Sequence, residues 1–572
     1  MKYKNHLTFI LLLIFFSCDL HKKNETLDIK NAIPVNSDLI IKIHDWKKMK
    51  TEIESFEWWQ ELKNTNLLRE NLNLLNDLNH QYQIAPLFDN RDIYLSSILN
   101  INDKSDLILI TSMTDFEKNK SIKLLRMIGS SQNNPTLYEG VKINNIQIQN
   151  ANEIKTDVFF SVYENIFLLS FSKIILEESI RQLIYNNNIF QHHTIQKLDQ
   201  NLPKYSDVNI LVKTQFIEKL INQKNILLNS NSWSWFDVEL AKSHILLNGV
   251  TSRGNTKYLE DSKYSDATAS KIQNILPRHI QGFHKYQINN NSDLNEILNN
   301  INPGPYTNTY QLSNNNWQPL EISIAYNKSK SEKADYIIFK TDQPTECFNY
   351  LQSYHDDHFT NIQYLDYIIY KLQTNHMSND NWLKNMTASW RDEYYINAQG
   401  YIILSHNIKE LKSIINNIIS NQTIGKSKAL QIINNKLGVK SHTSVYINLN
   451  NIEHKWKKVF NSIVVKNIAS KDYFFNSLIF LHDHSKISNP TLWNFHLRHE
   501  TNYTPQIVKN HYTQDIEIIT QDIENNLYLI NSKGEQLWIK KMGNSILGDI
   551  HQIDMFNNNK LQYIFNTKDS IY

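Results

Sequence analysis

Cysteine and glycine are both scarce in this chain. Two cysteines occur in 572 residues, Cys18 and Cys347, which excludes a fold stapled by several disulfides. Glycine occurs only 12 times, whereas asparagine is abundant and forms several short runs. Because asparagine tolerates positive φ angles, it can replace glycine in turns. Because so few cysteines are present, the stability of the fold has to come from packing rather than from disulfides.

The chain also has little net charge. The 59 basic and 57 acidic residues leave a net charge of +2, so no global field attracts nucleic acid or an anionic membrane surface. We therefore expect no nucleic-acid partner. A hydrophobic content of 41% with 20% charged residues is typical of a globular protein rather than a disordered one. The length predicts about four domains.

The N-terminal apolar run, Leu7–Phe16, is too short to span a bilayer, which takes ~20 residues. Two lysines precede this run and Ser17-Cys18 follows it, an order typical of a secretory signal over residues 1–17. The junction resembles the lipobox of bacterial lipoproteins. That resemblance implies lipid attachment at Cys18 and a polar tether over residues 18–30. The alternative is a soluble exported protein in which Cys18 has no special role.

A weak internal repeat with a period of roughly 235 residues follows the tether, too long a period for a solenoid. It predicts one α+β repeat over residues 31–258 and a second over residues 259–502. The corresponding segments are Leu39–Ile43 with Gly282–Tyr286, Asp106–Ile110 with Asp335–Phe339, Phe159–Leu183 with Tyr394–Ile418, and Asp207–Val212 with Ser444–Leu449. The alternative is two α+β domains that share a pattern without sharing ancestry.

Apolar residues at helical spacing predict a helix in the best-matched segment of each repeat. The two stripes are Leu176, Ile180, Leu183 and Ile184, and Ile408, Leu411, Ile415 and Ile418. Further predicted elements are helices at Phe116–Ile128 and Thr345–Tyr354 and long strands at Phe236–Val250 and Phe474–His482. Neighbouring strand pairs, such as Thr136–Gln149 and Val158–Ser170, predict antiparallel sheets with helices on one face. The expected fold class is α+β.

The last segment, residues 503–572, has short strands separated by turns, as in β-propellers. Leu527–Asn531 with Gly534 and Trp538 resembles the blade motif of PQQ-type β-propellers. Residues 549–567 look like the first strands of another blade. One blade and a fraction cannot close a ring, so we expect an incomplete propeller fragment. In such a fragment Ile518, Leu529, Ile530 and Trp538 would be exposed unless they dock on the second repeat, and we expect partial docking with raised mobility.

This whole arrangement resembles flavobacterial-type lipoproteins with a duplicated α+β region of unknown function followed by a PQQ-like β-propeller. The resemblance extends over nearly the whole chain, but it depends on patterning, and only the blade motif is moderately specific. It implies a protein of the cell envelope that faces the periplasm or the cell surface.

Motifs that could carry chemistry are few and incomplete. The segments His355–His358 and His482–His484 contain metal-binding residue types, but no second histidine pair lies at a recognised spacing. Solvated loops or helix ends are therefore expected there and at His192-His193. The other partial matches are His499-Glu500, which lacks the later zincin histidine, and Gly425–Ser427, which lacks the first glycine of a P-loop. We therefore expect neither a metal nor a cofactor.

Two further residue groups are interpreted as structural. Cys347 lies in a predicted helix, where a buried, inert thiol is expected rather than a nucleophile. The tryptophan pairs Trp58-Trp59 and Trp233/Trp235 could form a glycan- or protein-binding platform, but alternating aromatics more often fill cores.

These observations favour a lipid-anchored envelope protein that acts as a non-enzymatic interaction module. Its partners would be the membrane, through the N-terminal lipid, and a protein of the envelope. The alternative is an envelope hydrolase or glycan-binding protein with its site in the cleft between the two repeats.

Overall fold

The computed structural model describes most of the chain after its N-terminal segment. The described ranges are 27–65, 69–99, 105–114, 135–149, 155–200, 206–221, 231–253, 262–290, 293–295, 297–298, 317–327, 334–377, 381–450, 456–482 and 493–572. They form two compact units, one made of Met1–Asn255 with Asp472–Asn476, the other of Thr256–Lys471 with Ser477–Tyr572.

The first unit combines strands with helices in an α+β arrangement. Its strands are β1 (Leu39–Ile43), β2 (Ile93–Leu99), β3 (Ser105–Ser112), β4 (Thr136–Tyr138), β5 (Val141–Gln149), β6 (Lys155–Tyr163), β7 (Ile166–Ser170), β8 (Val208–Lys213), β9 (Trp233–Ala241) and β10 (His244–Ser252). Its helices are α1 (Trp46–Glu54), α2 (Glu57–Leu62), α3 (Arg69–Tyr82), α4 (Lys173–Tyr185), α5 (His193–Gln200) and α6 (Thr214–Ile221).

These strands pair antiparallel in the order β4-β5-β6-β7-β3-β2-β1-β8-β9-β10. Residues that lie opposite each other on neighbouring strands share a face of the sheet. On one face, Ile40, Ile108 and Leu211 pack with Leu176 and Ile180 of α4 in a single apolar core. The helix and the sheet therefore bury their apolar sides against each other.

The second unit has the same kind of architecture. Its strands are β11 (Thr268–Ala269), β12 (Gly282–Gln287), β13 (Pro319–Tyr326), β14 (Tyr336–Thr341), β15 (Ile362–Tyr364), β16 (Tyr367–Leu372), β17 (Glu393–Ala398), β18 (Tyr401–Ser405), β19 (Lys440–Ser441), β20 (Thr443–Asn448), β21 (Ser462–Ala469) and β22 (Tyr473–Leu481, whose first residues belong to the first unit). Its helices are α7 (Pro344–Gln352), α8 (Trp382–Thr387), α9 (Ile408–Ile419) and α10 (Lys428–Leu437).

The pairing order in the second unit is β15-β16-β17-β18-β14-β13-β12-β20-β21, again antiparallel throughout. The short strands β11 and β19 pair separately. The protein is therefore of the α+β class, with large antiparallel sheets, as the sequence predicted.

Helix α9 illustrates how the local sequence sets an element. Its N-cap, Asn407, accepts a hydrogen bond from the backbone N–H of Lys409, which satisfies one of the unpaired donors at the helix start. Leu411 and Ile415 are fully buried and Ile418 nearly so. In the first unit, Leu176 and Ile180 of α4 are likewise fully buried. The predicted apolar stripes are confirmed as core, apart from Ile184 and Ile408, which are only partly buried.

Two of the predicted elements have a different outcome. Phe236–Val250 was expected as one long strand, but the chain turns at residues 242–243 and forms the β9–β10 hairpin. The turn residues are Lys242 and Ser243, which carry none of the usual glycine or proline signal. The helix expected at Phe116–Ile128 lies outside the described residues.

The C-terminal residues form β-structure within the second unit. A four-stranded antiparallel sheet contains β23 (Gln506–Lys509), β24 (Ile516–Gln521), β25 (Asn526–Ile530) and β26 (Gln536–Lys541), and a hairpin follows with β27 (Ile546–Ile553) and β28 (Gln562–Thr567). Gly534, in the β25–β26 turn, has a φ of +83°, and the ring of Trp493 lies where a Cβ would stand. A side chain at this position would therefore displace Trp493.

The hairpin covers much of one face of the four-stranded sheet. Ile519 and Leu529 of the sheet pack with Ile550 and Phe565 of the hairpin in one apolar cluster. Leu529 is only 5% exposed and Ile530 only 4%. We expected both side chains to need the second repeat for cover, and for Leu529 this expectation is wrong. The covering element is the protein's own next hairpin, which supplies the opposing apolar surface.

The same C-terminal β-structure is also attached to the α+β part of its unit. Lys412 on α9 forms an ion pair with Asp549 at 3.0 Å, and Lys509 forms one with Asp366 at 3.0 Å. Both pairs are largely solvated, so each is worth roughly 0–1 kcal/mol. They orient the C-terminal sheet more than they stabilise it.

Candidate functional site

The sequence-predicted lipid site, Cys18, lies outside the described residues, so lipid attachment there stays a prediction. Cys347 lies in α7 and is fully buried, as predicted. Burial raises the pKa of its thiol to about 12, and the charge of Asp342 adds to that rise. A thiol with so high a pKa is protonated at neutral pH and is a poor nucleophile.

The segment His355–His358 follows the end of α7 and departs in part from the solvated loop or helix end that the sequence predicted. His355 is half-buried, with its ring stacked on Tyr370 and its Nε2 hydrogen-bonded to the hydroxyl of Tyr395. Burial lowers the pKa of His355. Asp356 forms an ion pair with Lys371 at 3.3 Å, whereas only Asp357 and His358 are exposed. The two histidines therefore do not converge on one site.

The remaining predicted motifs are structural where they are described. His482 is buried and its Nδ1 bonds to the carbonyl of Val459, while residues 483–484 lie outside the described ranges. Gly425–Ser427 ends a short 3-10 helix, and Ser427 then caps α10. Among the described residues, no group of three His, Cys, Asp or Glu side chains could hold a metal ion.

The tryptophan pairs lie mainly in the core, as predicted. Trp58 is fully buried and its indole N–H donates to the carbonyl oxygen of Ala241 at 2.8 Å, and Trp235 is 4% exposed. Trp59 and Trp233 are only partly buried. The pairs therefore do not form an exposed binding platform.

The sequence did not predict a polar row that crosses four strands of the first unit. Lys42 on β1 lies opposite Tyr94 on β2 and Asn209 on β8, and Asn209 lies opposite Asp237 on β9. Because opposite residues share a face, all four side chains lie on the face that also carries Ile40 and the helix-packed core. On this face of β1, the polar row at Lys42 follows directly after the core residue Ile40.

Hydrogen bonds join the row into one network. Lys42 forms an ion pair with Asp92 at 2.8 Å, and Asp92 also bonds to Nδ1 of His44 at 3.0 Å. The other ring nitrogen of His44 lies 3.1 Å from Oδ1 of Asn209, whose amide donates to Asp237 at 2.5 Å. Burial raises the pKa of Asp237, and hydrogen bonds from neighbouring side chains oppose this rise.

This geometry limits the chemistry of the row. A histidine held by a carboxylate is a common general base. Here, however, both nitrogens of His44 are engaged by protein oxygens, those of Asp92 and Asn209. Both nitrogens are thus engaged within the row, whose bonds join His44 after β1 to Asn209 on β8 and to Asp92 before β2.

The second unit carries a different polar row in the corresponding strands. Lys285 on β12 lies opposite Ser323 on β13 and Ser444 on β20, and Ser444 lies opposite Lys466 on β21. Lys285 is fully buried, and its ammonium donates to the carbonyl oxygen of Ser441 at 2.7 Å. Burial lowers the pKa of Lys285 to about 8.

The acidic member of this second network is Glu321, which is 5% exposed. It accepts hydrogen bonds from the hydroxyls of Ser270 at 2.7 Å and Tyr401 at 3.3 Å. Burial raises the pKa of Glu321, and the positive charge of Lys285 opposes that rise. Ser270 and Tyr401 therefore tie the segment before β12 and the start of β18 to the same carboxylate.

Sequence reasoning missed both rows for a physical reason. Their members are far apart in the chain and meet only because of cross-strand register, which a single sequence does not display. A signal was present in Leu39–Ile43 and Gly282–Gln287, because in each segment a lysine stands among the alternate positions that otherwise face the core.

Within the described ranges, every helix is too short or too polar to cross a bilayer.

Comparisons with protein-family models, with curated proteins and with solved structures found no match to this chain.

Proposed function

We propose that this chain is a lipid-anchored protein of the cell envelope, exposed to the periplasm or the cell surface, that acts as a non-enzymatic interaction module. The Ser17-Cys18 junction behind a short apolar run supports the anchor. A role without catalysis is supported by two observations. Both ring nitrogens of His44 are hydrogen-bonded within the protein, and the thiol of Cys347 is protonated.

We further propose that the two α+β units arose by duplication. The shared order of strand pairing supports this, and so does the register. Ser170 lies opposite Ile108 and Ser405 lies opposite Tyr336, at the ends of corresponding ladders. This register places Ile108 at the position of Tyr336. The sequence alignment of Asp106–Ile110 with Asp335–Phe339 pairs Ile108 with Ile337 instead, so the two alignments differ by one residue.

The C-terminal β-structure is proposed to be a propeller fragment that supplies the interaction surface. A four-stranded sheet with a hairpin packed on its face supports one blade followed by the start of another. The observation that carries the interaction role is the outer face of the hairpin. Leu547, Ile564 and Ile571 share this face and are 50%, 37% and 78% exposed. Apolar side chains exposed together mark interaction sites.

Labelled fatty acid fed to cells that produce the protein tests the anchor. The wild type and the Cys347→Ala control should carry label and sediment with membranes. Cys18→Ala should lose both properties. Label that persists in Cys18→Ala would refute the anchor.

A photo-crosslinking residue at position 547 tests the interaction surface in the same cells, with position 533 in an exposed turn as the control. A discrete adduct from position 547 alone is expected. The absence of an adduct at position 547, or equal adducts at both positions, would contradict the proposed surface.

A further inference from the structure

The first described residues of the chain are fixed to the body of the first unit. Ile33 is fully buried in its apolar core, and Leu27 packs against the same core. Lys30 forms an ion pair with Asp199 on α5 at 2.6 Å. Residues 27–30 of the predicted tether are therefore part of the fold, and the chain leaves the body at Leu27.

The distance from this exit to the predicted lipid is short. Eight residues, 19–26, separate Cys18 from Leu27. Whatever conformation they adopt, they span at most about 30 Å. A compact body of the size of the first unit is about 45 Å across. Because the reach is shorter than the body is wide, a lipid at Cys18 holds the exit side of the first unit close to the bilayer.

The exit lies at one end of the first sheet. The carbonyl oxygen of Leu27 accepts a hydrogen bond from the side-chain amide of Asn165, in the β6–β7 turn, at 3.3 Å. The antiparallel pairing of β5 with β6 places the β4–β5 turn at the same end. The last residue of α4, Tyr185, reaches this second turn, because its hydroxyl donates to the carboxylate of Glu139 at 3.2 Å. Two strand turns and the end of α4 therefore surround the exit.

The surface around the exit is rich in tyrosine. Tyr138 is the last residue of β4 and Tyr163 the last of β6, and both are only partly buried. Tyr185 is 61% exposed and Leu137 is 70% exposed. These four residues, together with Leu27, are named the exit rim. Tyrosine is favoured at membrane–water interfaces, because its ring is apolar while its hydroxyl stays in water.

The charges beside the exit rim indicate which kind of bilayer surface it fits. Three exposed acidic residues, Asp28, Glu139 and Glu164, lie there together with the exposed Lys142, which is opposite Leu137. A surface with this excess of negative charge is repelled by anionic lipids. Contact through the rim therefore depends on its apolar and tyrosine side chains, and a zwitterionic headgroup layer fits it better than an anionic one.

The opposite end of the sheet provides an internal reference. Asn36, before β1, is exposed there, and so is Ile174, at the start of α4 just after β7 ends. The register from β1 through β2 and β3 to β7 places the start of β1 near the end of β7. One strand length, about 15 Å, separates this end from the exit rim. Ile174 is 78% exposed, so it is an apolar residue comparable to Leu137 but far from the exit.

We infer that the exit rim is the surface of the first unit that contacts the bilayer holding the protein's own lipid, with its tyrosines at the level of the headgroups. The short tether brings the rim to the bilayer, and the tyrosines and Leu137 supply the contact. The end that carries Asn36 and Ile174 faces away from the membrane. This inference rests on the lipid anchor proposed above.

Fluorescence quenching on vesicles tests the orientation. Full-length lipidated protein is labelled at a single introduced cysteine, either Glu164→Cys at the exit or Asn36→Cys at the opposite end, and inserted into phosphatidylcholine vesicles with spin-labelled headgroups. Cys347 is fully buried, so the wild type should take up little probe. The probe at position 164 should lose most of its fluorescence, whereas the probe at position 36 should keep it.

Two substitutions test the contact itself. Leu137→Ser combined with Tyr185→Ser removes the two most exposed side chains of the rim and should restore much of the fluorescence at position 164. Leu137→Ser alone should restore part of it and leaves the hydrogen bond of Tyr185 intact. Ile174→Ser, which removes an equally exposed apolar side chain at the other end of α4, should leave the quenching unchanged.

Flotation of the same vesicles separates this inference from the anchor. Protein that does not float with the vesicles would overturn the anchor and the inference together. Protein that floats but is quenched equally at positions 164 and 36 would overturn the orientation alone. Quenching at position 164 that neither Leu137→Ser nor the double variant changes would overturn the contact through the exit rim.

Discussion

The hydroxyl of Ser405 donates a hydrogen bond to the backbone carbonyl oxygen of Asp335 at 2.8 Å, which ties the end of β18 to the residue before β14. In the first unit, Ser170 at the end of β7 donates in the same way to the carbonyl oxygen of Leu107 on β3 at 2.7 Å. Both serines are buried. Each unit thus uses one serine side chain to join the strand before its main helix to the neighbouring strand.

Replacing either serine by alanine should destabilise its own unit. The substitution leaves a buried carbonyl oxygen without this donor, which costs about 1–3 kcal/mol. Ser405→Ala and Ser170→Ala should therefore lower the urea midpoint of unfolding by similar amounts. Ser532→Ala, at an exposed turn position, is the control and should leave the midpoint unchanged. An effect confined to one of the two buried serines would argue against equivalent roles.

The apolar stripe of α9 should tolerate no charge. Ile415 is fully buried, so Ile415→Asp places an unpaired carboxylate in an apolar interior, at a cost of several kcal/mol. The same substitution at an exposed position of the same helix, Lys409→Asp, should have little effect. Thermal melts of the two variants measure the difference. An unchanged melting temperature for Ile415→Asp would mean that this face of α9 is solvated.

The C-terminal sheet should unfold when its shared core with the hairpin is disrupted. Ile519 is fully buried in that core, whereas Ile523 is 51% exposed. In limited proteolysis, the wild type should resist cleavage after residue 503, and Ile519→Asp should lose this segment while the rest of the chain persists. Ile523→Asp should behave like the wild type. Rapid loss of the segment from the wild type would show that it is only loosely attached.

Stability should depend on pH through the buried lysines. Burial lowers the pKa of Lys285 to about 8 from its ordinary value of 10.5. Between these two values the unfolded chain binds more protons than the folded one, so the free energy of unfolding should rise with pH from about 8 to 10.5. Each pKa unit contributes about 1.4 kcal/mol. Lys285→Met should flatten the rise measured by urea unfolding, whereas Lys409→Gln should not.

Local elements could largely be predicted from the sequence. The helix predicted from the stripe Leu176–Ile184 and the strand pair predicted within Val158–Ser170 agree with α4, β6 and β7, because periodicity and flanking turns act over a few residues. The turn inside Phe236–Val250 could not be predicted. Its tight link at Lys242-Ser243 follows from the pairing of the two strands, and it contains no glycine, proline, asparagine or aspartate, only the weaker turn former serine.

The sequence by itself determined the α+β class, the buried stripe that contains Ile415, and the inert surroundings of Cys347. Only the tertiary structure decided that Lys285 lies opposite Ser323 and Ser444, and that the C-terminal hairpin covers Leu529. Helical spacing is a property of neighbouring residues, so it is visible in the chain. Strand register joins residues that are far apart in the chain, and a shift of a single residue would turn each of these side chains to the opposite face.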